Sequence, residues 1–96
     1  MAFELVLLPK VKQEWESKID LYNAKRENLG YEVFLEIENY LKKIQENPLH
    51  YQKRYGEVRG IFTKRFHFGI YYIFEEEIIT VLAILNAKED ISKLQR

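Results

Sequence analysis

The chain has 96 residues, 47% of them hydrophobic, no cysteine, and 15 basic side chains balanced by 15 acidic ones. That length holds one domain, residues 1–96, with a modest core and no room for a cofactor-binding domain beside a substrate domain, so no cofactor is expected. The lack of cysteine excludes disulfides, thiolate nucleophiles and cysteine-ligated zinc, and the zero net charge gives no whole-molecule field that would draw in nucleic acid.

Phe3 to Leu8 forms an apolar run that predicts a first strand. It is interrupted by Glu4, stops at Pro9, and lacks the cationic start and small-residue cleavage site of an export signal, so a soluble, cytoplasmic protein is expected. Pro9 also suits the first turn of a helix. Val11, Trp15, Ile19, Tyr22 and Leu29 follow as one apolar stripe at helical spacing, with Gly30 ending that helix or marking its turn. A second stripe, Phe34, Ile37, Leu41 and Ile44, flanked by Val33 and Tyr40, runs to Asn47, where Pro48 disfavours further helix. The two helices form a hairpin. Trp15 and Tyr22 belong to its core rather than to a ligand platform.

Val58 to Leu85 contains three short alternating runs. In the second, Phe66, Phe68, Ile70, Tyr72 and Phe74 fall on one side, and Arg65, His67, Gly69, Tyr71 and Ile73 on the other. In the third, Ile79, Val81, Ala83 and Leu85 take one side and Ile78, Leu82 and Ile84 the other, which predicts a central strand covered on both faces. Glu75, Glu76 and Glu77 between these runs are expected to be a solvated turn, not a metal site. The run from Ile78 to Leu85 is far too short to span a membrane. Lys88 to Arg96 is expected as a short docked helix or a frayed tail.

The predicted fold is α+β. An N-terminal strand and a helical hairpin pack on an antiparallel sheet completed by a C-terminal three-stranded meander. The sheet face away from the helices is expected to expose Tyr71 and Ile73, with some of Ile61, Tyr55 and Tyr51, as a docking surface. Charge is uneven: residues 50–67 carry Lys53, Arg54, Arg59, Lys64 and Arg65 against Glu57 alone. Taken one at a time, such bases serve as solvated strand ends and edge protection. His67, placed mid-strand between Phe66 and Phe68, has the pKa range of a general base but the position of a surface histidine. His50 and His67 make no recognisable metal site.

The segment from Asn47-Pro48-Leu49 to Asp90, and above all Val58-Arg59, Lys64-Arg65-Phe66, Gly69-Ile70-Tyr71-Tyr72 and Ile79 to Leu85, resembles the RelE/ParE superfamily of bacterial toxins, closest to its ParE-like plasmid stabilisation branch. The resemblance implies the toxin of a type II toxin–antitoxin pair, neutralised by a cognate antitoxin. It implies either ribosome-dependent messenger RNA cleavage, as in the RelE-like branch, or poisoning of DNA gyrase, as in the ParE-like branch. Nuclease members often carry an arginine just before the segment matching Ile70-Tyr71-Tyr72, and a histidine or tyrosine after the last strand. This chain has Gly69 and Asn86-Ala87-Lys88-Glu89-Asp90 there. The ParE-like branch often has two arginines near that end, where Glu89 replaces one of them.

The first expectation is therefore a toxin that binds a macromolecular target such as DNA gyrase. Arg54, Arg59, Lys64, Arg65, Tyr71, Asn86 and Lys88 are the candidates for target or antitoxin contact. The alternative is an endoribonuclease using Arg59, Lys64, Arg65 and His67, and the third reading is an interaction module without toxicity. No recognition helix is present, so sequence-specific DNA binding by this chain alone is not expected.

Overall fold

A computed structural model describes residues 2–86. The expectation for Lys88 to Arg96 falls outside them. β1 (Glu4–Leu7) is followed by α1 (Pro9–Lys25) and α2 (Leu29–Glu46), then by β2 (Lys53–Tyr55), β3 (Val58–Phe62), β4 (Phe68–Glu75) and β5 (Ile78–Asn86). The fold is α+β as expected, with the helical hairpin on one face of a single five-stranded sheet of order β1-β5-β4-β3-β2.

The chain leaves β1 at one edge, crosses the sheet through the two helices, and enters again at the far edge as β2. Three hairpins then walk it back. That count of reversals brings β5 home in the direction of β1, so β1 pairs with it in parallel, Leu5 opposite Ile79 and Leu7 opposite Val81. The sheet is thus mixed at this one ladder, whereas the C-terminal strands are antiparallel throughout. The meander also has one more strand than expected. β2 escapes sequence reading because all three of its residues are exposed, so it carries no apolar alternation.

Pro9 occupies the first turn of α1, as its fixed φ favours. α1 ends at Lys25, earlier than the stripe suggested, and Asn28 in the left-handed region turns the chain into α2. Leu29 and Gly30 therefore open the second helix. Gly30 is required there by contact rather than by conformation: a Cβ on it would lie 2.4 Å from the Ile19 carbonyl oxygen and 2.7 Å from Asn23, whose Oδ1 accepts the Gly30 N–H at 2.7 Å. On α2, Ile37, Leu41 and Ile44 are buried as expected, but Val33 is fully buried whereas Phe34 stays 37% exposed, so Val33 takes the core place expected of Phe34.

The main core lies between the hairpin and the sheet. Val11 and Trp15 of α1 and Val33, Ile37, Leu41 and Ile44 of α2 pack on Phe68, Ile70 and Tyr72 of β4 and on Ile79, Val81 and Ile84 of β5. The Trp15 and Phe68 rings meet edge to face at 5.8 Å, and Tyr22 meets Phe66 at 6.0 Å, so both helix aromatics are core as expected. A second, smaller cluster of Val58, Tyr71, Ala83 and Leu85 lies on the opposite face.

The two clusters are compatible because of a bulge in β5. Tyr72 pairs with Val81 but Tyr71 pairs with Ala83, leaving Leu82 as an extra residue. The inserted residue reverses the side-chain phase. Ile84 thereby joins Ile79 and Val81 on the helix side while Ala83 and Leu85 go to the other, which corrects the strict alternation expected for this strand.

Glu76 and Glu77 form the two-residue turn between β4 and β5, with φ of 53° and 66°. Positive φ at both positions is the type I′ geometry that favours Asn-Gly. Replacing Glu76-Glu77 by Asn-Gly should raise unfolding stability by about 1 kcal/mol in chemical denaturation, because the left-handed cost of two Cβ-bearing residues is reduced. Gly30→Ala should lower it by about 2 kcal/mol through overpacking, visible as a fall in Tm of roughly 8–16 °C for a domain of this size.

Candidate functional site

The basic and aromatic residues expected to act together are divided by the fold among three places. Arg59 is on the helix side of β3, opposite Tyr72. Its Nη1 donates to the carbonyl oxygens of Tyr51 at 2.7 Å and Leu49 at 3.4 Å. Beside it the buried Tyr72 hydroxyl donates to the Pro48 carbonyl at 2.5 Å. Arg59 is therefore engaged with the loop that follows α2.

Lys64, Arg65 and His67 lie in the turn between β3 and β4, closed by Thr63 and Phe68. The Thr63 N–H donates to the Phe68 carbonyl at 2.8 Å, and the Phe68 N–H donates to Thr63 Oγ1 at 2.9 Å. Glu36 of α2 receives the backbone N–H groups of Arg65 at 2.8 Å and Phe66 at 3.1 Å. The Arg65 guanidinium pairs with Glu32, which Arg26 also reaches at 3.1 Å. The hydrogen bond from Arg65 lowers the Glu32 pKa below its ordinary value, against a smaller opposing effect of burial and with further help from the nearby Arg26 charge. Arg65 is thus committed to anchoring the turn on α2.

His67 is not mid-strand. It has φ of 58° and is exposed in the turn, one residue before β4 begins. Alternation could not reveal this, because Phe66 and Phe68 still point toward the same core although only Phe68 belongs to the strand.

The third place is the face away from the helices, where Arg54, Phe62 and Tyr71 come together over two glycines. The Arg54 guanidinium stacks 5.0 Å from the centre of the Phe62 ring, and Phe62 meets Tyr71 edge to face at 6.1 Å. Tyr71 lies across the backbone: a Cβ on Gly60 would fall 3.1 Å from its ring and from Arg54 Cγ, and one on Gly69 would fall 2.8 Å from its hydroxyl. Gly69 therefore makes room for the tyrosine, in the pattern by which an aromatic side chain covers a strand glycine. Burial pushes the Tyr71 pKa up, opposed by the Arg54 charge and reinforced by Tyr55. It remains a protonated donor at neutral pH. Arg54 forms no ion pair with a described residue, so its stacked guanidinium is the group of this face with the capacity to receive an oxyanion.

The expected exposed aromatic face is corrected in part. Tyr71 is only 5% exposed, because it folds down over the glycines, and Ile61 and Tyr51 pack against the helix-side core. Tyr55, as expected, and Phe62 carry the exposed surface, at 51% and 50%. Phe62 was missed by sequence reading; its place beside Arg54 depends on the pairing of β2 with β3. Asn86 ends β5 opposite Phe68, and Lys88 falls outside the described residues. No group of three potential metal ligands is assembled among the described residues, and no helix among them is long and apolar enough to cross a membrane.

No protein-family model matches the sequence, and no curated protein matches it at a significant level. Solved structures do. A chain of the chromosomal ParDE toxin–antitoxin system from P. aeruginosa superposes with a TM-score of 0.79 at 16% identity, covering 91% of this chain and 98% of that one. This chain has the RelE/ParE toxin fold. A free-state double mutant of the E. coli toxin RelE matches with a TM-score of 0.69 at 18% identity, over 92% of this chain and 86% of that one. The intact E. coli RelBE toxin–antitoxin complex matches with a TM-score of 0.69 at 17% identity, over 92% of this chain and 100% of the matched chain.

The buried Tyr72 carries a pH dependence. Burial raises its pKa from 10.0 to about 12, with Arg59 opposing and Tyr51 reinforcing the shift. A phenol whose folded pKa is raised stabilises the fold below the unfolded value and ceases to do so as pH climbs through the folded one. Stability should therefore fall as pH rises from about 10 to about 12. Tyr72→Phe should flatten that part of the curve, read by denaturant unfolding at a series of alkaline pH values.

Proposed function

We infer that this chain is the toxin of a type II toxin–antitoxin pair in a bacterial cytoplasm, of the plasmid stabilisation kind. It arrests growth by binding a macromolecular target such as DNA gyrase and is neutralised by a cognate antitoxin. The observation that carries the reading is the whole-chain likeness to ParDE and RelBE chains, each over more than nine-tenths of this sequence. The choice of binding over cleavage rests on the site. Arg59 and Arg65, two of the four residues a nuclease would draw on here, have their guanidinium groups engaged by the loop after α2 and by Glu32. His67 is in an exposed turn with a left-handed backbone and not on the strand face expected for it. The Arg54 and Tyr71 pair supplies a cation and a hydrogen-bond donor, but cleavage at a ribose 2′-hydroxyl also needs a general base.

Tightly controlled induction of the chain in a bacterial host should arrest growth, and co-expression of the adjacent small open reading frame should restore it. Arg54→Ala and Tyr71→Phe should each relieve the arrest while the protein remains folded. In purified form the chain should inhibit gyrase supercoiling and leave ribosome-bound messenger RNA intact. Messenger RNA cleavage with supercoiling unaffected would instead establish the ribosome-dependent endoribonuclease. An expressed, folded chain that neither arrests growth nor affects either assay would be an interaction module.

A further inference from the structure

β2 is a short edge strand with little to hold it. It has three residues, all exposed, and its pairing with β3 is irregular, Lys53 opposite Arg59 but Tyr55 opposite Val58. It nevertheless delivers Arg54 to the oxyanion site. The constraint comes from the other side of the sheet, where Tyr72 and Arg59 hold three carbonyls of the preceding loop, those of Pro48, Leu49 and Tyr51. These carbonyls belong to the loop that follows the C-terminus of α2. Next in the same ladder, Gly60 lies opposite Tyr71, and the Gly60 N–H donates to the Gln52 carbonyl at 3.1 Å. Because side chains alternate faces along a strand, one cross-strand pair clamps the loop from below while its neighbour builds the site above.

We propose that Arg59 and Tyr72 are positioning residues, a clamp on the loop after α2 that holds β2 in the sheet and thereby sets Arg54 against Phe62 and Tyr71. Arg59, a candidate catalytic residue by sequence, acts through Arg54 and touches no ligand itself. The functional weight of the clamp rests on the reading of Arg54 and Tyr71 as a contact site, but its structural effect is measured independently of that reading.

The test is residue-resolved amide hydrogen exchange on the full chain and on Tyr72→Phe, Arg59→Met and Arg59→Lys, with phosphate titration followed at the Arg54 side-chain resonance. Tyr72→Phe keeps the buried ring and removes only the hydroxyl, so the fold is retained. Exchange of the Gly60 amide should accelerate at least tenfold in Tyr72→Phe and Arg59→Met, while the central amides of β4 and β5 change less than twofold. Arg59→Lys, which keeps a donor and the charge, should recover part of the protection. Phosphate should shift the Arg54 resonance in the parent chain, with the apparent Kd weakened at least fivefold in Tyr72→Phe. Unchanged exchange at Gly60, or equal acceleration across all strands, would overturn the clamp. A parent chain whose Arg54 ignores phosphate would overturn the oxyanion site instead, and the exchange pattern would still decide the clamp.

Discussion

The extra residue Leu82 in β5 is the constraint on which the arrangement of both sheet faces depends. β5 is the second strand of the sheet, paired in parallel with β1 and antiparallel with β4, and its residues must fill the helix-side core and the smaller cluster opposite. A regular strand would carry Ala83 and Leu85 on the side of Ile79 and Val81. The bulge exchanges the two sets, giving the helices Ile84 and the other face Ala83 and Leu85. Lys18 of α1 donates to the Ile84 carbonyl at 2.8 Å, so the hairpin is tied to the strand just beyond the bulge. Tyr71 and Tyr72 straddle the same point, one turned to each face, and these are the two tyrosines that the site and the loop clamp use.

A sheet this small spends most of its basic side chains on itself. The positive segment from residue 50 to 67 resolves into different electrostatic tasks: Arg59 binds loop carbonyls, Arg65 joins Arg26 from the end of α1 in neutralising Glu32, and Lys53 pairs with Glu57 at 3.2 Å. Such exposed pairs are individually weak, so the geometric role of the Glu32 and Glu36 contacts matters more than their energy. Two carboxylates of α2 receive the turn between β3 and β4 and fix where β4 starts. Arg54 is left with an aromatic ring for a neighbour, an arrangement in which the cation retains its capacity for an incoming anion.

The likeness to ParDE and RelBE chains at 16% and 17% identity shows how little of this fold is tied to particular residues. What persists is the path of the backbone, shared over more than nine-tenths of this chain. Gly69 illustrates the opposite case. Its identity follows from one local contact, the hydroxyl of Tyr71 above it, and where another chain places an arginine at such a position the face must be built differently.

Much of the architecture was legible in the chain because periodicity is a local property. The hairpin, the strand order after it, the core roles of Trp15, Tyr22, Phe68 and Tyr72, and the α+β class all follow from spacings of three, four and two. Helix ends and faces were less exact: Leu29 and Gly30 proved to open α2, and Val33 replaced Phe34 in the core, because contacts between the helices set these choices. Only the tertiary structure decided the parallel pairing of β1 with β5, the bulge at Leu82, the existence of β2 and the meeting of Arg54 with Phe62 and Tyr71. Each depends on which strands lie side by side, and a pairing between distant segments leaves no period in either one. The sequence by itself determined what the elements are and which of their faces are apolar; the register between them decided which arginine is held by loop carbonyls and which lies against an aromatic ring.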